Sequence, residues 1–69
     1  MPDLVIRELT QLFVGKKHDD NELKIQALIG RGPKMRVMRF GSSYTLEVRP
    51  YRLNIVVNED GVITNFYFG

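Results

Sequence analysis

Residues 41–52, Gly-Ser-Ser-Tyr-Thr-Leu-Glu-Val-Arg-Pro-Tyr-Arg, combine a β-prone backbone with closely spaced charges. Arg49 and Arg52 follow the acid Glu47. A guanidinium beneath a carboxylate or hydroxyl makes charge-assisted hydrogen bonds, the stronger class. Tyr44, Leu46 and Val48 alternate at period two, and that alternation supports two readings. In one, these residues are the buried face of an ordinary strand. In the other, the segment stands in solvent as an extended peptide. Its main chain then pairs with a partner's groove while alternate side chains enter pockets. Leu46, apolar and unbranched at Cβ, suits a deep hydrophobic pocket, and Pro50 restricts the return of the chain.

Other chemistry is thinly represented. His18 is the single histidine; beside Lys17, Asp19 and Asp20 at a helix entrance, it is expected at the surface rather than as a general base. There is no cysteine, so there is neither a thiol nucleophile nor a Cys/His zinc site. Ser42 and Ser43 read as loop residues, outside any serine-glycine elbow. Gly30-Arg31-Gly32 is followed by Pro33 and a strand instead of a helix, so it does not cradle phosphate. Asp19 and Asp20 read as helix-start residues rather than cation ligands. No enzyme activity, cofactor or metal is expected.

Sixty-nine residues make one small domain, 1–69. A chain of this size buries only about 60% of its unfolded surface, and without a disulfide its stability must come from packing. The 43% apolar content suffices for a compact globule. No stretch approaches the roughly 20 apolar residues that span a bilayer, and the N-terminus lacks the pattern of a leader. The chain is expected to be cytoplasmic as written, or secreted if Met1 replaces a removed leader. Net charge is +2. Arg31, Lys34, Arg36 and Arg39 cluster, either as a solvated basic edge or as a strip for phosphate.

Five elements would position the 41–52 segment. Val5, Leu9, Leu12 and Phe13 have helical spacing, giving a short helix over 3–14 with Asp3 as cap and Gly15 as stop. Asp19 with Glu22 three residues on, then Ile25, Leu28 and Ile29, predict the main helix over 20–29. Strands are expected at about 35–40, 53–57 and 62–68. Asn58-Glu59-Asp60-Gly61 turns the last two into a hairpin. Both registers of the last strand carry large apolar residues, so its inner face stays open. The result is an α+β fold, one main helix packed on a small mixed sheet. Two-residue turns cannot join the first two strands, and intervening runs this long are usually functional.

The order Phe13-Val14-Gly15-Lys16, Val37-Met38, Gly41, Thr45-Leu46-Glu47-Val48-Arg49 and Arg52-Leu53 resembles the potato inhibitor I family of eglin-like serine protease inhibitors. Arg52-Leu53-Asn54-Ile55, then Asp60-Gly61 through Gly69, is similar to the related fungal and bacterial elastase-inhibitor family. The resemblance covers about 12–69. Phe68 stands where the elastase-inhibitor relatives carry a cysteine, and Thr10 lies near the potato family's missing tryptophan. Arg39 replaces a proline before the loop, and Asn54 stands where eglin-like chains have a second arginine.

The resemblance implies a long exposed reactive-site loop at 41–52 with Leu46–Glu47 as the reactive bond. Ser43, Tyr44, Thr45, Leu46, Glu47, Val48 and Arg49 would touch the protease. Arg49, Arg52 and Asn54 would support the loop from below. The implied partner is a serine protease of subtilisin, chymotrypsin or elastase type, engaged by a monomer without nucleic acid or membrane. Two alternatives remain. One is a non-inhibitory interaction module on this scaffold, the other a basic nucleic-acid-binding domain using Arg31, Lys34, Arg36 and Arg39.

Overall fold

The computed structural model describes residues 2–30, 34–41 and 51–69. Helix α1 spans Pro2–Phe13. Proline fits a first helical turn because its missing N–H has no intrahelical acceptor there. Residue 3, the expected start, falls inside the helix. Gly15, at φ 92°, turns the chain out of the helix, and its N–H donates to the Ile63 carbonyl at 2.8 Å.

Helix α2 spans His18–Ile29, two residues earlier than the 20–29 expected from the acids. Lys17 occupies the N-cap position without a side-chain cap, and Asp19 and Asp20 fall in the first turn. There they favour the positive end of the helix dipole. The helix start is fixed by the sheet instead. Lys17 bridges Val62, and the His18 N–H donates to the Gly61 carbonyl at 3.0 Å.

Three strands follow: β1 (Lys34–Arg39), β2 (Arg52–Val57) and β3 (Ile63–Phe68). The sheet is mixed, in the order β1-β2-β3, with β1 parallel to β2 and β2 antiparallel to β3. The hairpin turn is held by Asn58, whose Oδ1 accepts from the N–H groups of Asp60 and Val62 at 2.9 and 3.0 Å. Gly61 supplies the required positive φ of 80°.

A register shift settles the open face of β3. Val56 pairs with Asn65 but Val57 pairs with Ile63, leaving Thr64 as an extra residue. This bulge lets Ile63 and Phe66, three apart, face the same core. That core joins Leu9 and Phe13 of α1, Ile25 of α2, and Leu53, Ile55, Val57, Ile63 and Phe66 of the sheet. Both helices lie on one face of the sheet, and α1 packs against β3. Leu12 and Leu28, expected inward, remain 44% and 42% exposed. Val5 and Ile6 complete the α1 stripe instead, which tilts it away from Leu12.

The inner face of α2 is partly polar. His18, Asn21 and Ile25 are its buried residues, at i, i+3 and i+7. The expectation of a surface His18 is therefore wrong; the residue is only 2% exposed. Asn21 donates its Nδ2 to the Lys17 carbonyl at 2.7 Å, which satisfies that side of the helix entrance.

Candidate functional site

The sheet has two chemically different faces. Leu53, Ile55 and Val57 point into the core, so alternation places Arg52, Asn54 and Val56 on the face away from the helices. Asn54 sits in a cross-strand row between Arg36 of β1 and Tyr67 of β3. It is fully buried. A buried carboxamide must be hydrogen-bonded at both ends, and this one is. The Arg36 Nε donates to Asn54 Oδ1 at 2.9 Å, while Asn54 Nδ2 donates to the Gly69 carbonyl oxygen at 3.0 Å.

The same Gly69 oxygen accepts a second bond, from Arg52 Nε at 3.1 Å. Gly69 returns one through its own N–H, which donates to the Arg52 carbonyl at 3.1 Å. Arg52, at the start of β2, is thus held through both main chain and side chain. Met38 lies further along β1, and its sulfur receives the Tyr67 hydroxyl at 2.9 Å and an Arg36 Nη at 3.7 Å.

This network lies at one foot of the connection between the parallel strands. That connection runs from Phe40 to Tyr51, twelve residues. Its feet are at opposite ends of the sheet. The Phe40 N–H donates to the Val57 carbonyl at 3.1 Å, beside the far end of β2, whereas Tyr51 precedes Arg52 at its beginning. Both feet carry exposed aromatic rings, Phe40 at 71% and Tyr51 at 85%. Ser43, Tyr44, Thr45, Leu46, Glu47, Val48 and Arg49 lie outside the described residues, as does Arg31.

A second polar cluster sits at the α2 entrance. His18 Nδ1 approaches Asp19 Oδ1 at 3.4 Å, and an Arg39 Nη lies 3.5 Å from the same oxygen. A carboxylate only accepts, so this arrangement places the imidazole proton on Nδ1. The buried Nε2 has no partner among the described residues. The hydrogen bond from His18, then Arg39, holds the Asp19 carboxyl below the usual carboxylate range. A lowered folded-state value stabilises the protein above the unfolded value of about 4 and is lost as pH falls through the folded one. Asp19→Asn should therefore lower stability slightly at pH 7, converge with wild type at acid pH, and so reduce the decline on acidification. Urea midpoints at neutral and acid pH test this, and an unaltered acid decline contradicts it.

No group of side chains among the described residues could hold a metal ion. No helix among them is long and apolar enough to cross a membrane. Of the basic cluster, Arg36 is half-buried with its Nε on Asn54, and Arg39 reaches Asp19. Lys34 and Arg39 are exposed.

The model of the peptidase inhibitor I78 family matches residues 7–69, nearly the whole chain. The chain belongs to that family. Its family is one of peptidase inhibitors, so the chain is not an enzyme, and a peptidase is the supported partner. No curated protein matches it. Among solved structures it is similar to "Structure of elastase inhibitor AFUEI (crystal form II)", with a TM-score of 0.78 and 24% identity. That match covers 99% of this chain and 94% of the other. The two share the fold, a pair of helices on a three-stranded mixed sheet.

Arg52 and Asn54, both expected to support the loop, meet on one acceptor, Gly69. Sequence reading set Arg36 in a basic cluster and missed its bond to Asn54 and the accepting role of Gly69. The signal for Arg36 was its parity with Met38 on β1, but its partner depends on a pairing eighteen residues away in sequence.

Proposed function

We propose that this member of the I78 family is a monomeric, substrate-like, reversible inhibitor of serine proteases, presenting Leu46–Glu47 as the reactive bond. Its primary specificity is hydrophobic, of subtilisin, chymotrypsin or elastase type. The likeness to potato inhibitor I and eglin, in the spacing of Leu46, Arg49 and Arg52, belongs to the same proposal. The observation that carries it is the anchored base of the Phe40–Tyr51 connection. Arg52 stands at that base, fixed by Gly69.

Parallel neighbours need a connection of a dozen or more residues, normally a helix. Here the same length holds Thr45-Leu46-Glu47 between Gly41 and Pro50. A flexible substrate would be cut and released. Inhibition requires the ordering cost, about 0.5–1.5 kcal/mol per immobilised side chain, to be met before binding. On this reading Arg52 meets that cost by hydrogen-bonding Thr45 or Glu47 from below. Exposed rings at Phe40 and Tyr51 suit the rim of a protein interface, where aromatics are enriched.

Titration of elastase, subtilisin and chymotrypsin with the wild-type protein tests the reading. Submicromolar, reversible inhibition of at least one is expected. Failure against all three, or rapid turnover as a substrate, removes it.

Arg52→Ala should weaken inhibition by about 10- to 100-fold, the value of hydrogen bonds to a charged group, and increase cleavage of the protein itself. The melting temperature should change little, because Arg52 lies on the face away from the core. Unchanged inhibition in that variant would contradict the bracing role.

A further inference from the structure

We infer that Arg36 is a positioning residue, which acts through Asn54 and Gly69 to fix the guanidinium of Arg52. As a contribution to inhibition, this rests on the reading above. The hydrogen-bond relay itself does not.

An asparagine amide is nearly symmetric in shape, so the groups at its two ends decide which way it faces. Arg36 offers only donors and must meet Oδ1. That forces Nδ2 toward the Gly69 oxygen, which only accepts. Without Arg36, Oδ1 would be left bare in a fully buried position, which is costly. The carboxamide would then swing away to find another donor for its oxygen, which draws Nδ2 off the Gly69 oxygen. The shared acceptor for Arg52 Nε is then disturbed.

Arg36 is itself steadied. Its Nη contacts Met38 on the same strand, and the Met38 sulfur is engaged by Tyr67 from β3. Tyr67 in turn is the register partner of Asn54. The contacts form a circuit across all three strands, with Asn54 at its centre. Position 54 carries a neutral side chain, and the guanidinium bonded to it comes from β1. The cation supporting this end of the connection is thus contributed by the strand on its other side.

The test uses ¹⁵N-labelled protein and two substitutions. Arg36→Met keeps the apolar stem and loses the donors; Arg36→Lys keeps the charge and loses Nε. Hydrogen exchange of the Arg52 Nε–H is compared with that of the core amides of Ile55 and Phe66. Both variants should accelerate Arg52 Nε–H exchange about tenfold or more, consistent with one lost bond to a charged group, while core amides keep their protection. Inhibition should weaken in parallel. Asn54→Leu should have less effect in the Arg36→Met background than alone, since the relay is already open.

Unchanged Arg52 Nε–H exchange in both variants overturns the inference. So does a wild-type response from Arg36→Lys, because charge alone would then suffice. Uniform acceleration of all amides also overturns it, by showing a merely structural role. If Arg36→Met does not fold, Arg36→Lys decides. A wild-type protein that inhibits none of the three proteases defeats the inhibitory reading, and the exchange comparison still decides the relay.

Discussion

Leu46→Gly should abolish useful inhibition while leaving the fold intact. Fully burying a leucine side chain is worth about 1.5–3 kcal/mol, and a central anchor in an interface pocket 2 kcal/mol or more. The inhibition constant should therefore rise by about 30- to 150-fold. Among the described residues, Leu9, Phe13 and Ile25 of the helices already meet Leu53, Ile55, Val57, Ile63 and Phe66 of the sheet. The melting temperature should stay within a few degrees of wild type. Inhibition within about threefold of wild type would place the anchor at another residue. A large loss of stability would instead place Leu46 in the interior, as in the ordinary-strand reading.

Phe66→Ala should have the largest effect on stability. Phe66 is among the largest fully enclosed side chains and pairs across the hairpin with Ile55, against the helical layer. Truncating a buried phenylalanine costs about 3–5 kcal/mol, through lost transfer free energy and a residual cavity. A domain of this size rarely has more than about 3–5 kcal/mol in total. The variant should be largely unfolded at 25 °C, with loss of the cooperative thermal transition by circular dichroism. A transition lowered by only about 5 °C would correspond to roughly 1 kcal/mol and contradict this account of the core.

The fold class was legible because its determinants are local. Leu9 and Phe13 keep helical spacing, Ile55 and Val57 alternate, and Asp60-Gly61 is a strong turn. What was illegible depends on residues distant in sequence. His18 lies seven positions before Ile25 and so on the same helical face, but its polarity and acidic neighbours suggested the surface. Its burial follows from the hairpin turn that accepts its N–H at Gly61. The inner face of β3 was undecidable by period-two reading, because the bulge at Thr64 changes the parity partway along. At the site, the arginine spacing singled out Arg52. Only the strand register brings Arg36 to Asn54.

The parallel pairing of β1 with β2 also governs what happens if the backbone is severed between Gly41 and Tyr51. One fragment would hold both helices and β1, the other the β2–β3 hairpin. Neither owns a complete interior, since Leu9, Phe13 and Ile25 belong to the first and Ile55, Val57 and Phe66 to the second. The nicked halves would therefore cling together as a two-chain particle.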